Sequence, residues 1–248
     1  MSPKRATAWM PDQHGAWAML TVPFLAGTFL APRSGWAHAV LLAAWLLGYA
    51  ALFHAQQWLR LRRAAARRPA VARGHVRPAL VLGGACAAAG IPLAVAHPWL
   101  LLAGAAAAPF VAVTTWYARR NRERALVNGL AAVVPACGML LVAARMGGSG
   151  WLWAPAAACL LYFAGTVPYV KTMIRKRNSR THYRGSVAYH AAALALAAAF
   201  LSPWLAIPFG AYLARAAALP GRGLRVPVVG ALELACSAAL LASLLTLF

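Results

Sequence analysis

The chain has 248 residues, of which 62% are hydrophobic and 11% charged; a soluble domain carries about a quarter charged residues, so a water-exposed globule is excluded. Lys and Arg number 24 against 3 Asp and Glu, a net charge of +21. In a soluble protein that excess would suggest nucleic acid, but here the basic residues sit in short stretches between apolar runs. That pattern points to membrane orientation and anionic lipid headgroups, with no nucleic-acid partner.

A spanning helix needs about 20 apolar residues. The chain reads as a single integral membrane domain, all-α, a polytopic bundle of about nine transmembrane helices. Residues 1–13 form a polar arm with Lys4, Arg5 and Asp12. The first span, 14–31, is longer than the apolar core of a signal peptide and is read as an uncleaved helix. The second, 37–59, leads into a tract with seven arginines between Arg60 and Arg77. The third and fourth, 79–96 and 99–117, are joined by the uncharged turn His97-Pro98. ARRNRER follows, with four arginines and Glu123. The fifth span, 125–144, ends at a Gly-rich turn, and the sixth is 151–170. Lys171 to His190 then gathers six cationic residues, two histidines and two tyrosines. The seventh span is 187–202 and the eighth 204–219. PGRGLRV is the last basic loop, and the ninth span is 227–248.

Counted by side, with Arg215 taken with the last loop, the N-terminus and the loops after even-numbered spans hold 22 of the 24 cationic residues; Arg33 and Arg145 are the other two. The positive-inside rule then sets the N-terminus in the cytoplasm and the C-terminus outside, in the cytoplasmic membrane. Trp36, Trp99, Trp151, Trp153 and Trp204 mark the outer interface, and Trp9, Trp58 and Trp116 the inner one. Seven prolines interrupt spans: Pro23, Pro92, Pro109, Pro135, Pro155, Pro168 and Pro208. Each is expected to remove a backbone hydrogen bond and bend its helix. Cys86, Cys137, Cys159 and Cys236 all lie in apolar runs, with no CxxC pair, and read as small buried hydrophobes.

Polar groups inside spans are costly and each is a candidate site residue. His14 opens span one, His54 lies near the inner end of span two, and Asn128 begins span five. Lys171 ends span six, with Arg175 four residues on, so a continuing helix puts both on one face. His190 begins span seven, Arg215 ends span eight, and Glu233 lies early in span nine. These positions cluster toward the inner boundary and suggest a polar, basic cavity open to the cytoplasm. Glu233 is the only acid deep in any span. Spans eight and nine are joined by a short loop and should be antiparallel, so Arg215 and Glu233 are expected to pair, directly or through His54 or His190. No HExxH, Walker loop or GxGxxG occurs. Three acids offer almost no hard ligands, so neither a metal nor a cofactor is expected.

Pro11 to Leu20 (PDQHGAWAML), Glu123 to Ala131 (ERALVNGLA) and Gly165 to His190 resemble segments of the YwiC-like family of bacterial membrane proteins. That family's pattern has Asn-Asp where this chain has Asn128-Gly129. The resemblance implies a multi-pass bacterial membrane protein and no particular reaction. The nine-helix order with an inside N-terminus also resembles UbiA-type prenyltransferases. Those enzymes bind a prenyl diphosphate through Mg²⁺ and two Asp-rich motifs, after helices two and six. Here the two corresponding loops carry Arg and Lys instead. The resemblance therefore implies an isoprenoid or lipid phosphate held by cationic side chains without metal, together with membrane lipids as partners. Two other readings fit the same pattern: a small transporter or permease with Glu233 or a histidine as coupling group, and a non-catalytic membrane component.

Overall fold

The structure, a computed structural model, describes residues 9–11, 14–63 and 69–248. It is all-helical. Among the described residues nine helices carry the architecture: α1 (His14–Leu30), α2 (Trp36–Arg63), α4 (Val76–Ala96), α5 (Trp99–Arg119), α6 (Leu126–Met146), α7 (Trp153–Ile174), α8 (Arg180–Leu196), α9 (Ala206–Ala218) and α10 (Val226–Leu247). A five-residue helix, α3 (Pro69–Arg73), lies in the basic tract after α2. Among the described residues seven helical stretches are long and apolar enough to cross a membrane. The protein is a multi-pass membrane protein. Leu101, Leu102, Val95 and Phe200 are exposed along these stretches, as side chains facing lipid would be.

Helix ends outrun the apolar stretches. α2 continues through Arg60 to Arg63, α5 to Arg119, and α8 begins at Arg180 rather than Val187. The apolar run bounds what can sit in lipid; the helix continues because Arg and Lys are good helix formers whose stems lie along it. Ser179 caps α8, its hydroxyl accepting from the His182 N–H. Five of the seven prolines lie inside helices. Pro155 and Pro208 instead fall in the first turns of α7 and α9, where no intrahelical N–H bond is lost.

The chain packs as two units. In the first, residues 1–13 and 35–128, α2 packs along α4. Ala44 faces Gly90, Gly48 faces Cys86 and Ala51 faces Gly83, an antiparallel register of small residues. A Cβ on Gly48 would stand 3.2 Å from the Cys86 sulfur, so the two backbones approach closely. Two shallow surface grooves lie in this unit, one lined by Arg73, Val76, Arg77, Leu80 and Val81, the other along α5 from Gly104 to Arg119. Neither is lined by a candidate site residue.

In the second unit, residues 14–34 and 129–248, α7 supplies much of the core through Ala158, Cys159, Tyr162 and Phe163. α1 packs on α10, and α8 on both α7 and α9. α1 meets α6 so closely that a Cβ on Gly27 would collide with the Leu140 carbonyl. α8 runs on into a π-turn, Ala197–Leu201, and breaks at Ser202, which is extended (φ −163, ψ 133). Pro203 is the cause: it lacks an N–H and pushes the preceding residue out of the helical region. A second, smaller buried cluster, Tyr169, Met173, Ala216 and Val229, lies where α7, α9 and α10 meet.

Candidate functional site

That second cluster surrounds the buried charges. The loop between α9 and α10 reverses through Gly221 and Gly223, both at positive φ (90 and 66). The reversal brings Arg215 of α9 against Glu233 of α10, each 7% exposed. Arg215 Nη1 donates to Glu233 Oε1, the direct pairing expected from an antiparallel register. Three aromatic rings enclose the guanidinium. Its carbon lies 4.2 Å from the Tyr169 ring centre, 5.6 Å from Tyr212 and 5.9 Å from Tyr162. Tyrosine faces attract a cation, and here they replace water around one that lipid cannot solvate.

The same tyrosines fix the backbone of α10. Tyr212 donates to the Cys236 carbonyl at 3.1 Å, and Tyr162 reaches the Glu233 carbonyl at 3.2 Å and Ser237 Oγ at 3.1 Å. Ser237 donates to the Glu233 carbonyl at 2.8 Å. Position 233 is thus held on both its side chain and its main chain.

Some buried groups here have no protein partner. Arg215 Nε and Nη2, the Tyr169 hydroxyl and Ser186 Oγ are buried without hydrogen bonds among the described residues. Tyr169 and Ser186 are both fully buried. His190 stands one turn beyond Ser186 on α8, and its Nδ1 lies 2.8 Å from the Ser186 carbonyl. A carbonyl only accepts, so Nδ1 carries the proton and Nε2 holds a lone pair. The His190 and Tyr169 rings are 6.3 Å apart. A Cβ on Gly165 would stand 3.1 Å from His190 Nε2 and 2.9 Å from Tyr189, so glycine there admits both rings. An unpartnered edge of a buried guanidinium, beside a free phenol, is the arrangement that grips a planar or tetrahedral oxyanion.

Lys171 and Arg175 end α7, two and six residues beyond Tyr169. The carbonyl of Lys171 accepts from the N–H groups of Arg175 and Lys176, closing the helix. Arg177 ties this end to the α9–α10 loop, donating from Nε to the Met173 carbonyl at 2.6 Å and from Nη2 to the Leu224 carbonyl at 3.0 Å. Tyr183 donates to the Ala217 carbonyl at 3.0 Å and joins α8 to α9.

Two candidate residues lie in the first unit. His54 is fully buried, with Nε2 3.0 Å from the Trp9 carbonyl and Nδ1 2.8 Å from His75 Nδ1. The carbonyl fixes the His54 proton on Nε2, so His75 Nδ1 must donate to His54 Nδ1. Both His54 nitrogens are thereby engaged within the protein. Asn128 Nδ2 donates to the Glu123 carbonyl at 2.8 Å, while its buried Oδ1 has no partner. The Glu123 carboxylate pairs with Arg60 at 3.0 Å. His14 is the first residue of α1, and its side chain lies outside the described residues.

Arg215, Glu233 and His190 are thus brought into one cluster, with Lys171 and Arg175 at the end of the helix that carries Tyr169. Sequence reasoning missed Tyr162, Tyr169, Ser186, Tyr212 and Ser237. The available signals were spacing: Tyr162 and Tyr169 are two turns apart on α7, and Ser186 and Ser237 are each one turn from His190 and Glu233. Among the described residues no three His, Cys, Asp or Glu side chains converge as a metal site.

Residues 10–144 match the family described as YwiC-like protein. Over 231 residues the chain is 31% identical to "Uncharacterized protein YwiC" of Bacillus subtilis, covering 92% of each chain. It is 29% identical over 231 residues to an "Uncharacterized protein" of Haemophilus influenzae, covering 92% of this chain and 93% of that one. No solved structure matches, so the resemblance to UbiA-type prenyltransferases rests on helix order alone.

Proposed function

The chain belongs to the YwiC-like family, and from that premise we propose that it is a membrane protein that binds an isoprenoid or other lipid phosphate at a polar, basic site facing the cytoplasm. Divalent metal has no part in this reading: Arg and Lys supply the counter-charge. The observation that carries it is the buried, unpartnered edge of Arg215. A buried guanidinium with two unpartnered nitrogens, beside the unpartnered Tyr169 hydroxyl, lacks an acceptor, and a phosphate offers several oxygens. Lys171 and Arg175 at the end of α7 would draw an anionic headgroup to the same end of the unit. The N-terminus and the basic loops are assigned to the cytoplasm and the C-terminus to the outside, because 22 of 24 cationic residues fall on one side of the span order.

Native mass spectrometry of the full chain, released from detergent, tests the reading. Wild type is expected to retain a phosphate-bearing lipid that Arg215→Gln loses while its helical circular dichroism persists. Wild-type protein with no retained lipid, or equal retention by the folded variant, would overturn it.

A further inference from the structure

We propose that this site couples binding of a monoanionic phosphodiester to uptake of one proton, and that Glu233 takes the proton. The inference rests on the binding reading above and adds its charge balance.

Arg215 and Glu233 form a neutral, buried pair. One nitrogen, Nη1, is committed to the carboxylate, while Nε and Nη2 have no partner. An oxyanion on that edge would satisfy both donors, and the Tyr169 hydroxyl lies on the ring stacked against the guanidinium. The cluster would then hold one cation and two anions in an apolar setting, which is strongly unfavourable. A proton given up by the buffer acid, which is left as its conjugate base, forms an O–H bond on Glu233 and restores neutrality. The bound state is Arg215 as cation, the phosphodiester as anion, and Glu233 as neutral acid. No other group changes charge and no bond of the ligand breaks.

The surroundings leave few other proton acceptors. α7 presents Tyr162 and Tyr169, and α9 presents Tyr212 and Arg215 itself. α10 adds Cys236. α1, packed on α10, carries no titratable side chain after His14. α8 presents His190, whose Nε2 lone pair is the rival site. Tyrosines and a thiol are already protonated near neutrality. The competition is between Glu233 and His190, and Glu233 is favoured because protonating it removes a charge from the buried cluster, whereas protonating His190 adds one.

The test is calorimetric titration of the full chain in detergent near neutral pH, in buffers of different ionisation heat. The probes are dihexanoyl phosphatidylglycerol and dimethyl phosphate, neither of which titrates in this range. Wild type is expected to take up one proton per probe bound, and its affinity should weaken by about tenfold per pH unit as pH rises. Glu233→Gln should bind without proton uptake and with a flat pH profile, while His190→Gln should keep wild-type uptake. Binding of both probes assigns the site to the phosphodiester itself; binding of the lipid alone assigns it to a headgroup held with its chains. Wild-type binding without proton uptake overturns the coupling and leaves the binding reading intact. Uptake that survives in Glu233→Gln also overturns it. No binding of either probe overturns this proposal, while the binding reading stands or falls on the retained lipid.

Discussion

Replacing Arg215 by Met and Glu233 by Leu, singly and together, measures what the buried pair contributes. Both side chains are nearly inaccessible. Two unit charges in contact at an effective dielectric of about 20 attract by about 4 kcal/mol. Removing one partner strands the other, so each single variant is expected to lose about 3–5 kcal/mol. The double variant removes both charges together with the two unpartnered guanidinium nitrogens, each of which costs about 1–3 kcal/mol to keep buried. Against that stand the lost contacts with the tyrosine rings, worth about 2 kcal/mol. The double variant should therefore lie within about 2 kcal/mol of wild type, giving a coupling energy of about 4 kcal/mol or more. Reversible unfolding in mixed micelles, followed by tryptophan fluorescence, reads all four proteins. A double variant that loses the sum of the two singles would refute the reasoning.

Gly27→Ala should lower the unfolding midpoint by the equivalent of about 2 kcal/mol or more, because the new methyl meets the Leu140 backbone, which cannot step aside; an unchanged midpoint counts against the close approach. His54→Ala should cost about 1–3 kcal/mol, since it leaves the Trp9 carbonyl and His75 Nδ1 unmet. The same change should speed limited proteolysis near residue 9, and unaltered cleavage would argue that Trp9 is held by other contacts. Cysteines placed at Arg73→Cys and Asn178→Cys should both be labelled by an impermeant reagent only in inside-out vesicles; labelling from opposite faces would end the proposed orientation.

The charge pair was legible because its members are isolated. Arg215 and Glu233 each stand alone in an apolar stretch, and the short loop between their helices leaves few ways to arrange them. Tyr169 and Ser186 were not legible. A tyrosine in an apolar run reads equally as core filler or interfacial anchor, and a serine on a helix satisfies itself against the preceding turn in most settings. Only the packing of α7, α8 and α9 shows that these hydroxyls lack partners. The helix boundaries show a different gap. Hydropathy marks where lipid ends, whereas Ser179 and the arginines of α2 and α5 decide where the backbone stops winding. The break at Ser202 was legible in kind, since Pro203 dictates it, but the π-turn before it was not, because three alanines in a row carry no sign of the extra residue. His54 read as a site candidate because it is polar in a span. Its partners, Trp9 and His75, lie 45 and 21 residues away in sequence, and no periodicity links them.

The face shared by α2 and α4 constrains how this protein can change over generations. Each small residue on one helix opposes a specific small residue on the other: 44 with 90, 48 with 86, 51 with 83. An added methyl at 83 or 90 would meet its opposite at ordinary contact distance, whereas one at 48 would press on the Cys86 sulfur, so bulk gained at 48 calls for bulk lost at 86. Drift at that point of the seam is then an exchange rather than two independent steps. A comparison of many relatives should find 48 and 86 varying together in size while the lipid-facing positions between them wander freely.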